Sequence, residues 1–454
     1  MRAICGPVPG VKSHISPIIS CVRVVTGDEV VKIEQVMERV YDRRRLYRAW
    51  QHVRSNAGAA GIDNMTIEDF ESRQATLLEL IQEKLKIGAY RFKPARRALI
   101  PKAGTSKKRK LGIPVVMDRI VSQSLHTVLE EIFDADFTGS NFGFRRGKSQ
   151  HQAINHMREA VVDGYDWCAS IDLQSFFDEI PHRLIFKLIR RKIRDERLVT
   201  LIARILKAGV IIDGVFQKSP KGCPQGSPVS PILSNIVLNE LDHELDRRGH
   251  RYCRWADDFV ILVKSERAAH RVLESVVRFL EDHLGLPVNR QKSHVAAAKD
   301  TEFLGFQILR GKIRISNSSR VRFKQEVRKR TPRNNPLSMH QVIVNLNEFL
   351  TGWICYFRIQ EFKKIFGELD GFIRSRLRSM QLKKWKKPKK FQRMMIRAGY
   401  PVDEARKTWI KMTKWQSVSR RTVRFVLNLK WFRRQHVVFL DDFTQRQLKL
   451  KFAR

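Results

Sequence analysis

The chain has 454 residues, 43% of them apolar, which is enough for roughly two to four domains with cores of their own. Its formal net charge of +41 is far more than solubility needs and points to a polyanionic partner. The six cysteines form no C-x-x-C pair, which excludes an obvious zinc finger and suits reduced thiols, and no run approaches the ~18 apolar residues of a membrane span.

The charge is unevenly spread. Residues 301–454 hold 38 Lys and Arg against 10 Asp and Glu, a net of +28, which leaves +13 for the first 300 residues. Residues 1–31 include "SHISPIIS" but lack a compact signal-peptide core, and they read as an extension of unassigned role. From Val31 to Val53, apolar residues at Ile33, Val36, Met37, Val40, Leu46, Trp50 and Val53 predict helix ended by "NAG". Its opposite face, "DRRRLYR", fits either solvent or phosphate.

"YRFKPARRALIPKAGTSKKRKLGIP" predicts two strands joined by a basic loop, and 115–135 predicts helix. "NFGFRRGKSQHQAI" is a Gly-rich basic turn entering a helix over 150–162. "WCASIDLQSFFDEIPH" is a strand ending at Asp172, and 183–208 is helical. "FQKSPKGCPQGSPVSPILSNIVLNELDHELDRRG" reads as a loop followed by a helix, with Ser230 as N-cap and Pro231 in the first helical position. A hairpin with strands Tyr252–Trp255 and Phe259–Val263 follows, with Asp257 and Asp258 at the bend. A helix over 267–284, the strand-like "EFLGFQILRGKIRI", a polar linker "RKRTPRNNPLSMH" and a helical, basic, Trp-bearing last third complete the chain.

Asp257 and Asp258 on their own suit a solvated turn. They also suit a metal site, because adjacent carboxylates near a core either take up protons or bind a cation. Asp172 at a strand end supplies a third carboxylate, and the three together meet the need of two-metal phosphoryl transfer.

The ordered motifs then resemble a reverse transcriptase of the group II intron maturase type, of the bacterial, endonuclease-lacking kind. They are "AGID" (60–63), "IPKAGTSKKRKLGIP" (100–114), "NFGFRRGKSQHQA" (141–153), "SIDLQSFFDEI" (170–180), "GCPQGSPVSPILSNI" (222–236), "RWADDFVIL" (254–262), "LPVNRQKS" (286–293) and "EFLGF" (302–306). A maturase-like thumb segment, "GWICYFRIQEFKKIFGELDGFIRSRLRSMQLKKWKK" (352–387), follows, so the resemblance covers about residues 32–390. Each motif alone is weak, whereas the ordered set is very specific.

The resemblance implies an α+β right-hand polymerase with fingers, an antiparallel palm sheet and a thumb, followed by a helical maturase and DNA-binding region. The corresponding boundaries are 1–31 extension, 32–150 fingers, 151–315 palm, 316–390 thumb or maturase domain, and 391–454 basic DNA-binding region. It implies that Asp172, Asp257 and Asp258, with the Leu173 carbonyl, hold two Mg²⁺ ions, for which Mn²⁺ could substitute. Lys102 and Arg109 match the cations that hold the dNTP triphosphate. Phe177 matches the ring that excludes a ribose 2′-OH, and also reads as a core aromatic. Gln225 matches the residue against the nascent pair. Lys292 matches the lysine that protonates pyrophosphate, and also reads as a solvated lysine. Phe303, Leu304, Gly305 and Phe306 match the primer grip.

The implied partners are the chain's own group II intron RNA, target DNA, an RNA template with its DNA primer, and dNTPs. No membrane is implied, a homodimer is left open, and the location is a bacterial cytoplasm, nucleoid-associated on DNA. The expected function is RNA-directed DNA synthesis with splicing assistance and copying of the intron into DNA. Two rivals are a splicing cofactor with an inactive polymerase and a domesticated polymerase of repair or defence. Trp255 stands where the family usually has Tyr, and no Cys-pair or His–Asn–His nuclease pattern is found in the tail. Trp353, Tyr356, Trp385, Trp409, Trp415 and Trp431 read mostly as core, with some free to stack on bases, and "KKWKKPKK" reads as a flexible basic connection.

Overall fold

The computed structural model describes residues 32–101, 108–385, 387–408 and 418–442. Two compact units divide the chain between Thr301 and Glu302. Lys102, Trp409 and Trp415 lie outside the described residues.

The first unit opens with two helices, Val36–Val40 and Arg43–Ser55, rather than one. The break is a cap: the Asp42 carboxylate accepts from the Arg45 amide at 2.9 Å and starts a new helix. Trp50 is buried against Phe70, with ring centroids 4.5 Å apart, and its indole N–H donates to Gln74. The predicted strands around the basic loop are β1 (Ala95–Pro101) and β2 (Lys108–Ile113), paired antiparallel. The helix expected over 115–135 runs Val116–Phe133, and twelve of its residues are buried.

A helix over Gln150–Val162 is capped by Ser149, and strand β3 (Trp167–Asp172) follows it. The helical stretch expected over 183–208 is two helices, His182–Lys192 and Glu196–Lys207, again divided by a capping carboxylate, Asp195. Strands β4 (Val210–Ile212) and β5 (Val215–Gln217) form a hairpin, so Phe216 and Gln217, expected in a loop, lie in a strand. Its turn residues Asp213 and Gly214 both have positive φ, as the tightest hairpin turns require. These four strands form one sheet ordered β2-β1-β4-β5, which joins residues from both sides of the expected finger–palm boundary at 150.

The helix Ser230–Arg247 is capped by Val229, so Ser230 and Pro231 are its first two residues. The Ser230 hydroxyl instead donates back to the Pro224 carbonyl at 2.8 Å, tying down the preceding loop. Strands β6 (Arg251–Trp255) and β7 (Asp258–Val263) form the expected hairpin. Asp258 lies in β7, so only Ala256 and Asp257 make the turn. With β8 (His294–Ala297), these strands form an antiparallel palm sheet ordered β6-β7-β3-β8. The helix Glu266–Arg278 packs on this sheet and ends in a π-turn, Phe279–His283.

In the second unit β9 (Phe306–Leu309) and β10 (Lys312–Ile315) form a two-stranded hairpin. The helices Asn317–Arg330, Met339–Phe357, Lys363–Trp385 and Pro388–Arg397 follow. The run expected to be a flexible connection is largely helical. Lys383–Trp385 end one helix and Pro388 begins the next, while Trp385 is buried with Leu382, Phe391 and Met395. Trp353 is likewise a packing residue, its ring centroid 4.4 Å from Phe323 and 4.5 Å from Phe357.

Candidate active site

The site grows from the end of the palm sheet. Antiparallel register puts Asp172 at the end of β3 directly opposite Asp258 at the start of β7. Directly opposed residues project to the same face of a sheet, so these carboxylates share one face. Asp257 follows Ala256 in the two-residue turn joining β6 to β7. Asp172 and Asp257 are half-buried and Asp258 is exposed. Ala256 is buried with φ 58°, a left-handed conformation that costs a non-glycine residue about 1–2 kcal/mol.

The "LPVNRQKS" segment lines the same strand end. The Asn289 amide donates to the Asp172 carbonyl at 2.8 Å, and the Asp172 amide donates to Ser293 Oγ at 3.1 Å. Lys292 Nζ lies 3.1 Å from Asp172 Oδ2 and 3.4 Å from Oδ1. Leu173 is buried and bridges Val288.

The "GCPQG" loop closes the next side. The Cys223 amide donates to the Phe177 carbonyl at 2.6 Å, and Gln225 Nε2 lies 3.4 Å from Asp178 Oδ1. Phe177 is half-buried and set edge-on to Phe176 with centroids 5.4 Å apart, so the loop and the aromatic pair form one packed wall. The Gly112 amide of β2 donates to the Gln225 carbonyl at 2.7 Å. A Cβ on Gly226, which has φ 108°, would stand 2.2 Å from the Gly112 carbonyl oxygen. Arg109 is exposed on the same strand, paired with Ile100. Burial pushes the Cys223 thiol up to about 12, so it stays protonated and serves as packing.

Phe303–Phe306 lie in the second unit. The Phe303 and Phe306 backbones exchange two hydrogen bonds of 2.9 Å around Leu304 and Gly305, which both have positive φ. Tyr356 donates its hydroxyl to the Leu304 carbonyl at 2.8 Å, fixing the turn against the helix Met339–Phe357.

Sequence reasoning missed the support behind the Asp257 turn. Arg254 is completely buried and pairs with the equally buried Asp242. Burial raises the Asp242 carboxyl above its ordinary range, and the Arg254 charge opposes that rise. The signal is present: Asn235, Asn239 and Asp242 recur at i, i+4 and i+7, a polar stripe beside the apolar stripe Leu233, Val237, Leu241 and Leu245.

Among the described residues, no three His, Cys, Asp or Glu side chains converge closely enough to hold a metal by themselves. The donor chemistry nonetheless fits magnesium. Mg²⁺ prefers hard oxygen ligands and is commonly bound by one or two carboxylates completed by substrate phosphates and water.

Comparison with known families decides the class. The family described as "Reverse transcriptase (RNA-dependent DNA polymerase)" matches residues 100–308, and "Group II intron, maturase-specific domain" matches residues 320–398. "Protein YkfC" of Escherichia coli is 33% identical over 328 residues, 63% of this chain and 86% of that protein.

The chain belongs to the group II intron reverse transcriptase–maturase family. It is thus an RNA-directed DNA polymerase with a domain associated with intron splicing, and nucleic acids are its partners. "Group II intron-encoded protein LtrA" of Lactococcus lactis is 27% identical over 390 residues, covering 70% of this chain and 63% of LtrA. Apo telomerase from Candida tropicalis aligns over 76% of this chain and 62% of its own, with 12% identity and a TM-score of 0.44. The α+β class expected from the motifs is the one observed, and the antiparallel palm sheet is present. Among the described residues no helix is long and apolar enough to cross a membrane.

Proposed function

We propose that this reverse transcriptase extends a DNA primer at the β3–β7 strand end, with Asp172, Asp257 and Asp258 as its metal-binding carboxylates. The observation that carries this reading is the register of Asp172 opposite Asp258, with Lys292 against Asp172 and Asp257 in the adjoining turn. Two Mg²⁺ ions held there, with Mn²⁺ as a substitute and the Leu173 carbonyl as a further ligand, would activate the primer hydroxyl and stabilise the leaving oxygen.

The remaining roles belong to the chain's own groups. Lys292 carries a proton for the departing pyrophosphate. Phe177, held by the "GCPQG" loop, occupies the space a ribose 2′-OH would need. Gln225 lies against the nascent pair, where Gly226 and Gly112 allow two backbones to approach closely. Arg109 and Lys102 hold the triphosphate, and the Phe303–Phe306 turn orients the primer end so that its hydroxyl attacks in line.

The intron-level role is part of the same proposal. The chain binds its own group II intron RNA, promotes splicing and copies the intron into target DNA. Lys and Arg in residues 301–454 supply the sequence-independent phosphate attraction. The setting is a bacterial cytoplasm, with nucleoid association when on DNA.

The test is primer extension on an RNA template with Mg²⁺ and dNTPs, wild type beside Asp257→Asn. Full-length cDNA from the wild type alone supports the assignment. Equal cDNA from both proteins removes Asp257 from the metal site.

A further inference from the structure

The turn that presents Asp257 is gripped from behind by one buried polar assembly. The Arg254 guanidinium donates from Nε to Asp242 Oδ1 at 2.8 Å and from Nη2 to Asp242 Oδ2 at 2.5 Å. Its remaining nitrogen, Nη1, donates to Asn235 Oδ1 and to the Ala256 carbonyl, each at 3.0 Å. Asn235 uses its other end as well, donating from Nδ2 to the Gly143 carbonyl at 2.8 Å. Gly143 packs directly on the same turn: a Cβ there would stand 2.2 Å from the Ala256 nitrogen. The backbone flanking Gly143 also pairs with β6, with Phe142 donating to the Arg254 carbonyl and Arg254 donating to that of Ser140, each at 2.9 Å.

We infer that Arg254 is a positioning residue: locked by Asp242 and Asn235, it fixes the Ala256 carbonyl and so sets the aim of Asp257 and Asp258. This rests on the reading that those two carboxylates hold the metal ions. The physical argument begins from cost. A buried ion pair is often no more stabilising than apolar side chains of the same size, so stability alone gives little reason for one here. A guanidinium offers a rigid fork of donors that an apolar side chain lacks, and one branch of that fork ends on the turn. Ala256 is held left-handed without being glycine, and such a conformation persists only where its surroundings over-determine it. Arg254 at the Ala256 carbonyl and Gly143 at the Ala256 nitrogen provide that constraint, and Asn235 joins the two.

The deciding protein is the double variant Arg254→Met/Asp242→Leu, which removes the donor to Ala256 without leaving a lone buried charge. Four quantities are measured on the full chain with a bound primer–template: thermal unfolding, Mn²⁺ affinity by paramagnetic resonance of the free ion, and the kcat and KM of single-dNTP addition. The expected result is a folded protein that binds RNA normally, with Mn²⁺ affinity and kcat each lowered about tenfold or more and KM changed little. Wild-type Mn²⁺ affinity and kcat in the folded double variant would overturn the inference and leave Arg254 as packing. If the double variant does not fold, Arg254→Lys and Asn235→Ala decide, and wild-type Mn²⁺ affinity in both overturns it. Asp257→Asn runs alongside as the control. If it keeps wild-type Mn²⁺ affinity, the metal assignment itself fails; if it loses affinity while the double variant does not, only the positioning role fails.

Discussion

Lys292 and Asp172 form an ion pair at the end of the palm sheet, with Nζ 3.1 Å from Oδ2. Both are partly exposed, so the pair adds little to stability. Its position is what matters, because the ammonium sits on a carboxylate assigned to the metals. A Lys292→Gln variant should therefore fold and bind primer–template as the wild type does. Its rate of single-nucleotide addition should fall by about 10²-fold, the lower end of the usual loss when a general acid is removed. Rapid-quench measurement with saturating dNTP reads this directly, and an unchanged rate would return Lys292 to the status of a solvated lysine.

Phe177 is fixed by Phe176 at 5.4 Å and by the Cys223 amide on its own carbonyl. Shortening this side chain should open space at the sugar while the backbone stays in place. Phe177→Ala is expected to raise incorporation of ribonucleotides relative to deoxyribonucleotides by about 10- to 200-fold, the range for a pocket contact worth 1–3 kcal/mol. Competition between dCTP and CTP opposite one template base measures the ratio. No change in that ratio would mean that the ring is core alone.

Gly226 couples the "GCPQG" loop to the finger strand β2. Its φ of 108° is rarely adopted by residues with a side chain, and a Cβ would stand 2.2 Å from the Gly112 carbonyl. Gly226→Ala must move one backbone or the other, at a cost of about 1–3 kcal/mol. Because the Gln225 carbonyl accepts from Gly112, the shift reaches Gln225. A lowered unfolding temperature is expected together with a raised KM for dNTP. Loss of stability alone would separate the loop from nucleotide binding.

Much of this site was legible because its residues are short-range signals. An apolar run ending in Asp172 marks β3, an apolar run following Asp258 marks β7, and period-3.6 patterns mark the helices Val116–Phe133 and Gln150–Val162. Other features were lost for identifiable reasons. Asp42 and Asp195 fall inside stretches whose periodicity predicts single long helices, whereas each caps a new one, and local capping outweighs a periodicity that continues across the break. "VIIDGVFQ" carries the Asp–Gly hairpin signal, but each of its strands is only three residues long, too short for the alternation that marks a strand. The sequence predicts Asp258 in the bend, whereas β7 begins with it, and that one-residue difference decides which carboxylate faces Asp172. The Arg254–Asp242–Asn235 assembly depends on contacts between strand β6 and a helix that precedes it, so only the polar stripe on that helix hinted at it.

A last prediction concerns the second unit. Asp370 is buried on the helix Lys363–Trp385, and its two oxygens accept from the Leu440 amide at 3.0 Å and the Asp441 amide at 3.2 Å. Burial outweighs those hydrogen bonds and raises its carboxyl from 3.8 to about 6. A raised folded-state value means that the folded protein holds this proton more tightly than the unfolded chain does. Stability from this group is therefore fully present below about pH 4 and is lost as the pH rises towards 6, by on the order of 1–3 kcal/mol. Asp370→Asn cannot titrate, and its neutral amide also fails to accept from both backbone donors. Its unfolding temperature should be lower than that of the wild type at pH 4, and the difference should narrow between pH 4 and pH 6. Thermal unfolding at half-unit pH steps checks the slope. A variant that tracks the wild type in parallel across the whole window would show that Asp370 keeps its ordinary affinity for protons despite its burial.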